Sequence, residues 1–145
     1  MSSPAPVRGS DNRFHLAHEL ALTNATDQPA TIRSAETVSA AKPGQVLEKL
    51  SGPALASRFK LTGNFGPPTP SSEPVSLGPS QSGILYFDVS APRVQDLPRE
   101  LVHRISVSYP EASLSGVVPA RVTETAGKVQ VSSRPVTCRG PAPDR

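Results

Sequence analysis

The chain lacks the parts that most functions need. Its 145 residues include no tryptophan, two tyrosines, four phenylalanines and a single cysteine. Cys138 has no partner for a disulfide within the chain, and a cysteine-based metal site needs several thiolates. It is expected to be a free thiol in a loose tail. No stretch approaches the ~20 apolar residues of a membrane-spanning helix, and Met1 to Asn12 as written contains no apolar segment of the signal-peptide kind.

An excess of one charge is missing too, apart from the ends. The formal charge is +3, with 15 basic and 12 acidic side chains. Residues 1–13 hold Arg8, Arg13 and Asp11; residues 134–145 hold Arg134, Arg139, Arg145 and Asp144. Subtracting these leaves ten basic (15 − 5) and ten acidic (12 − 2) side chains over residues 14–133. A nucleic-acid binder concentrates basic charge on one face; a neutral body with basic ends excludes that class, and no nucleic-acid partner is expected.

What the chain does have is alternation. Phe14, Leu16, Leu20 and Leu22 share one parity, with His18 among them. Leu85, Phe87 and Val89 repeat the pattern, as do Leu101, Ile105, Val107 and Tyr109, with His103 in step. Val118, Ala120 and Val122 are answered by Val129 and Val131. A period of two places side chains on alternate faces of a strand, so the chain reads as an all-β protein of antiparallel sheets, each with one wet face. Seventeen prolines spread along the chain disfavour long helices.

Turn signals divide the pattern into six or seven strands, the spacing of an immunoglobulin-like β-sandwich. Residues 1–12 read as a disordered tail, 13–134 as the sandwich domain and 135–145 as a second disordered tail. Asn24 to Pro29 and Lys42-Pro-Gly44 are turns. Asn24-Ala25-Thr26 also matches the glycosylation sequon, though turn chemistry suffices to explain it. Ser51-Gly-Pro53 looks like a helix start, with Leu55 and Phe59 four apart. Asp96-Leu-Pro98 looks like a second short helical entry. Residues 65–83, with five prolines and one charge, form the longest loop. The last two strands, Val117 to Glu124 and Lys128 to Ser133, are expected to form a hairpin about Gly127.

His15, His18, Glu19 and His103 are the residues that invite chemistry. The helical zinc motif sets two histidines four apart on one face. Here the spacing is three, and on a strand His15 and His18 point to opposite faces, where they cannot share an ion. His18 and His103 lie on core parity, so they read as buried imidazoles with hydrogen-bond partners. No nucleophile elbow, phosphate loop or dinucleotide fingerprint occurs. The expectation is no enzyme, no cofactor and no metal. The competing reading is a small metal-dependent hydrolase using His18, His103 and Glu19, and a third is a purely structural spacer.

Four stretches carry a resemblance. HLAHELALTNATDQPATIRSAETV, VLEKLSGPALASRFKL, LGPSQSGILYFDVS and LPRELVHRISV, in that order, resemble the β-rich N-terminal accessory region of actinobacterial lysostaphin-type zinc endopeptidases. The match covers about residues 14–110. The His-x-x-x-Asp and His-x-His segments that bind zinc in the peptidase half of that family do not occur here. The resemblance therefore implies a non-catalytic immunoglobulin-like accessory or binding module without its peptidase, in a secreted or cell-envelope setting. Its expected partner is a protein or cell-wall material, and no functional residue carries over.

Overall fold

A computed structural model describes residues 4–63, 74–113 and 116–130, with side chains up to Pro110. Among them are nine strands and one short helix. The strands are β1 Val7–Arg8, β2 Phe14–Thr23, β3 Ala30–Ser39, β4 Val46–Ser51, β5 Phe59–Leu61, β6 Ser76–Leu77, β7 Ser82–Ala91, β8 Glu100–Ser113 and β9 Gly116–Gln130; the helix α1 spans Gly52–Arg58. Two antiparallel sheets result. One has the order β1-β2-β7-β5; the other runs β4-β3-β8-β9, with β6 also paired to β3.

The alternation decides which face each strand buries. Leu16 is fully buried, and along β2 the neighbours Ala17, Glu19, Ala21 and Thr23 are exposed. Along β7, Leu85, Phe87 and Val89 are buried while Tyr86 is exposed. The larger part of the core joins Leu85 and Phe87 to Ile32, Ala35, Leu50, Leu55, Ile105 and Val107. These residues come from both sheets and from α1, so the sheets face one another across a shared core. Each fully buried Leu or Phe contributes roughly 1.5–3 kcal/mol by leaving water.

Helix α1 forms where Ser51, Gly52 and Pro53 mark its start. Ser51 is the N-cap residue in extended conformation, and proline stands in the first turn, where its missing N–H costs nothing. Leu55 is buried, and Phe59, the other expected anchor, has already left the helix and opens β5. The ring of Phe59 crosses β7 at Gly83, where a β-carbon would stand 2.3 Å from its Cζ. The second helical entry is a 3₁₀ turn at Val94–Asp96, just before the expected position.

Three expectations need correction. Nine strands stand among the described residues where six or seven are expected, because β1, β5 and β6 are too short to show a period. The segment read as a disordered tail through residue 12 contains β1, whose Val7 and Arg8 pair with His15 and Phe14. Its turn is built by Asn12 in the left-handed region, by Arg13 N–H donating to Asp11 Oδ1, and by Arg8 donating to Asn12. Asn and Asp supply turn chemistry where composition suggests only a polar tail. The expected hairpin about Gly127 is absent: β9 runs unbroken through it, and Gly127 pairs with His103 of β8. A glycine inside a strand weakens it without ending it. The β8–β9 ladder instead runs to the pairing of Ser113 with Gly116. The expected tail at 135–145 and Cys138 lie outside the described residues.

Candidate functional site

The two histidines on core parity meet. His18 on β2 and His103 on β8 approach across the sheets with Nε2 to Nε2 at 2.8 Å. Phe87 of β7 stacks on His18 with ring centres 5.4 Å apart, and its centre lies 4.8 Å from that of His103. His103 is completely buried and His18 half-buried.

Proton placement follows from one further contact. His18 Nδ1 lies 3.0 Å from the carbonyl oxygen of Leu16. A carbonyl only accepts, so a neutral His18 carries its proton on Nδ1 and leaves Nε2 bare. His103 therefore donates from Nε2 to Nε2 of His18.

The pair belongs to a polar row. Across the second sheet, Glu48 of β4 pairs with Thr37 of β3, Thr37 with His103, and His103 with Gly127 of β9. Thr37 is fully buried. Glu48 Oε2 accepts a 2.9 Å hydrogen bond from the backbone N–H of Asp88 in the other sheet, and Glu48 Oε1 lies 3.6 Å from Arg58 of α1. Burial pushes the Glu48 carboxyl up, against smaller opposing effects of the Asp88 N–H and Arg58. This row splits the apolar core. On one side lie Leu85, Ile105 and Ala35; on the other, Leu16, Val89, Ala91, Leu97 and Leu101.

Glu19 does not join this row. It faces outward on β2, paired in register with Tyr86. The trio of the hydrolase reading, His18, His103 and Glu19, is thus divided between the two faces of a sheet. Glu48, which does reach the row, has a weaker sequence signal. It shares the parity of Leu50, but the irregularity between Thr37 and Val38 shifts the register beyond it.

His15 faces away from His18. Its Nδ1 lies 3.0 Å from Asp88 Oδ2 and its Nε2 3.0 Å from Asp11 Oδ2. The carboxylates stand at opposite ends of the ring, so they clamp the β1–β2 turn to β7 and cannot converge on an ion with it. Among the described residues no group of three or more His, Cys, Asp or Glu is arranged to hold a metal. Donating hydrogen bonds to the carboxylates of Asp11 and then Asp88 raises the His15 pKa. A raised folded value means that this clamp stabilises the fold below the ordinary value of ~6.5 and is lost as pH rises through the raised one. His15→Asn is therefore expected to flatten the loss of stability on the alkaline side of neutrality, measured as the urea midpoint from pH 6 to 9.

Asn24 ties its own β2–β3 turn to the end of β6 and the turn that follows it. It is buried, and its Nδ2 lies 2.7 Å from Gln28 O, 3.0 Å from Leu77 O and 3.1 Å from Gly78 O. Its Oδ1 accepts from both the N–H and the hydroxyl of Thr26. In the folded chain the sequon amide is enclosed as a structural turn.

No family model matches the chain, and no curated protein matches it. A solved structure of a protein from Archaeoglobus fulgidus aligns with 86% of this chain and 90% of its own, at 9% identity and a TM-score of 0.29. A likeness of that strength carries no argument about fold or function.

Proposed function

We propose that this chain is a non-catalytic accessory module of immunoglobulin-like type that binds an extended segment of a protein partner along the open edge of β2. The observation that carries this reading is the backbone of β2. Gly9 N–H donates to Arg13 O on the β1 side, while Asn24 N–H donates to Gln81 O on the β7 side. Backbone groups alternate along an antiparallel strand, so Ala17, Glu19, Ala21 and Thr23 direct N–H and C=O away from β7. β1 covers only Phe14 and His15. Beyond them, among the described residues, β2 ends the sheet.

Such an edge is a template for an added strand unless proline, lysine or a bulge blunts it. Here its outward residues are two alanines, a threonine and one glutamate, and the β2–β7 ladder has no shift of register. Small side chains admit a partner's backbone, and Glu19 favours a basic residue opposite. The divergence of His18 and His103 from Glu19 supports a role without catalysis.

The test is an NMR titration with extended threonine- and valine-rich peptides carrying one central lysine, beside sedimentation with purified peptidoglycan. The reading expects amide shifts centred on Ala17 to Thr23 and their loss in Ala21→Pro, which removes one outward donor. Shifts centred elsewhere, sedimentation without peptide binding, or cleavage of either probe would contradict it.

A further inference from the structure

The open edge of β2 carries more than backbone groups. Its side chains stand in cross-strand rows that a partner strand would extend. We propose, on the reading that β2 accepts an added strand, that the partner is an antiparallel segment in which three consecutive apolar residues are followed directly by a lysine or arginine.

The direction comes from β1. Val7 and Arg8 already lie on this edge, antiparallel to β2. The β2–β7 and β5–β7 ladders of the same sheet are antiparallel as well. A strand that continues this arrangement towards Thr23 runs against β2. Its residue opposite Ala21 therefore comes two positions before its residue opposite Glu19, and both lie on the outer face.

The outer face sets these two alternate positions. Glu19 is exposed and pairs in register with Tyr86, which is exposed too. The row presents a carboxylate next to the edge and a phenol ring behind it. Neighbouring strands lie ~4.8 Å apart, so a partner residue opposite Glu19 has its backbone about 10 Å from that of Tyr86. A lysine or arginine there meets the carboxylate and extends over it towards the ring, contacts that opposite charge and cation–π attraction make favourable. Ala21 pairs with Ile84, which is half-buried. Alanine is too short to cover Ile84, and a large apolar side chain opposite Ala21 completes that row. The row of Ala17 ends on Asp88, but His15 already engages that carboxylate, so it adds no second basic position.

The inner face sets the positions between. Leu20 and Leu22 pack against the larger core cluster yet stay half-buried. Among the described residues no strand lies beyond them on this side of the sheet. Apolar partner residues opposite Leu22 and Leu20 extend the core over them and remove their remaining surface from water. Read along the partner, apolar residues fall opposite Leu22, Ala21 and Leu20, and the basic residue opposite Glu19.

The experiment titrates the isotope-labelled whole chain, by NMR, with three peptides of equal length. They are Thr-Val-Leu-Val-Lys-Thr-Thr, the same peptide with glutamate for lysine, and the reversed sequence Thr-Thr-Lys-Val-Leu-Val-Thr. The first is expected to bind at least about fivefold more tightly than either of the others, since a glutamate opposite Glu19 replaces attraction by repulsion. Its amide shifts are expected on Ala17 to Thr23. Glu19→Lys, at an exposed position, is expected to invert the preference between the lysine and glutamate peptides. Equal affinities for all three, centred on β2, would overturn the proposed order and leave the edge as a binding site. So would a preference for the reversed sequence, which places the partner parallel. A lysine preference that survives Glu19→Lys overturns the role of Glu19 and the inference with it. Shifts away from β2 with every peptide, or none at all, overturn the strand addition itself and this inference together.

Discussion

Phe87→Ala is expected to lower the unfolding free energy by about 3–5 kcal/mol, the range for truncating a buried aromatic ring. Phe87 is 2% exposed and sits at the middle of β7. It packs with Leu85, Ile105 and Ala35 on one side and covers both imidazoles of the polar row on the other. Removing the ring therefore does two things: it leaves a cavity in the larger cluster, and it strips the apolar lid from the hydrogen bond between His18 and His103. The second effect places the loss towards the upper end of the range. Urea denaturation at pH 7.5 measures it, and a loss below ~1.5 kcal/mol would mean that the ring does not occupy the centre of the core. Phe87→Leu retains most of the apolar volume and is expected to cost less than half as much.

Asn24→Asp is expected to cost about 3–5 kcal/mol, comparable to leaving a buried charge uncompensated. The substitution preserves shape but replaces the donor that three carbonyl oxygens share, at 2.7, 3.0 and 3.1 Å, with an acceptor. An ionised carboxylate would face those oxygens in a residue that is only 4% exposed. Asn24→Ala removes the donor without adding charge and leaves Leu77 O, an acceptor in a buried bond, without its amide; about 2–3 kcal/mol is expected. The order Asp worse than Ala is the informative result, read from urea midpoints of the two variants at pH 7.5. The reverse order would place Asn24 in water and return its sequon to the surface.

The strands that were legible in the sequence are those long enough to repeat. β2, β7 and the first part of β8 alternate buried or half-buried residues with more exposed ones over enough positions to declare a face, whereas in β3 a shift of register between Ile32 and Ser34 breaks the parity. The same parity placed His18 and His103 inside, where they meet. It could not say that they meet each other, because contact between sheets depends on how β2 stacks over β8, which no local pattern encodes. Glu48 was hidden for a related reason: one shift of register at Thr37 and Val38 breaks the alternation just where the glutamate turns inward. β1 is held by turn chemistry and by two pairs of ladder partners, too few to show periodicity. Gly127 misled because a glycine between two short apolar runs is a common turn signal, whereas here the long partner β8 carries the ladder past it. Pro110 falls at the irregularity in that same ladder, where the missing N–H does least harm.

These placements bear on function through what they leave available. His18 faces His103, and His15 faces two carboxylates, so the string His15 to Glu19 that looks most like an enzyme serves the packing of two sheets and the clamp on a turn. What β2 offers outward is backbone and small side chains, the basis of the proposed strand addition.

The most direct measurement is a long-range proton–nitrogen NMR spectrum of the imidazoles at pH 7.5, recorded with and without one equivalent of zinc. Two neutral rings of opposite tautomer are expected, His18 protonated on Nδ1 and His103 on Nε2, both unmoved by the metal. Zinc-dependent shifts of both rings, or a His18 protonated on Nε2, would contradict it.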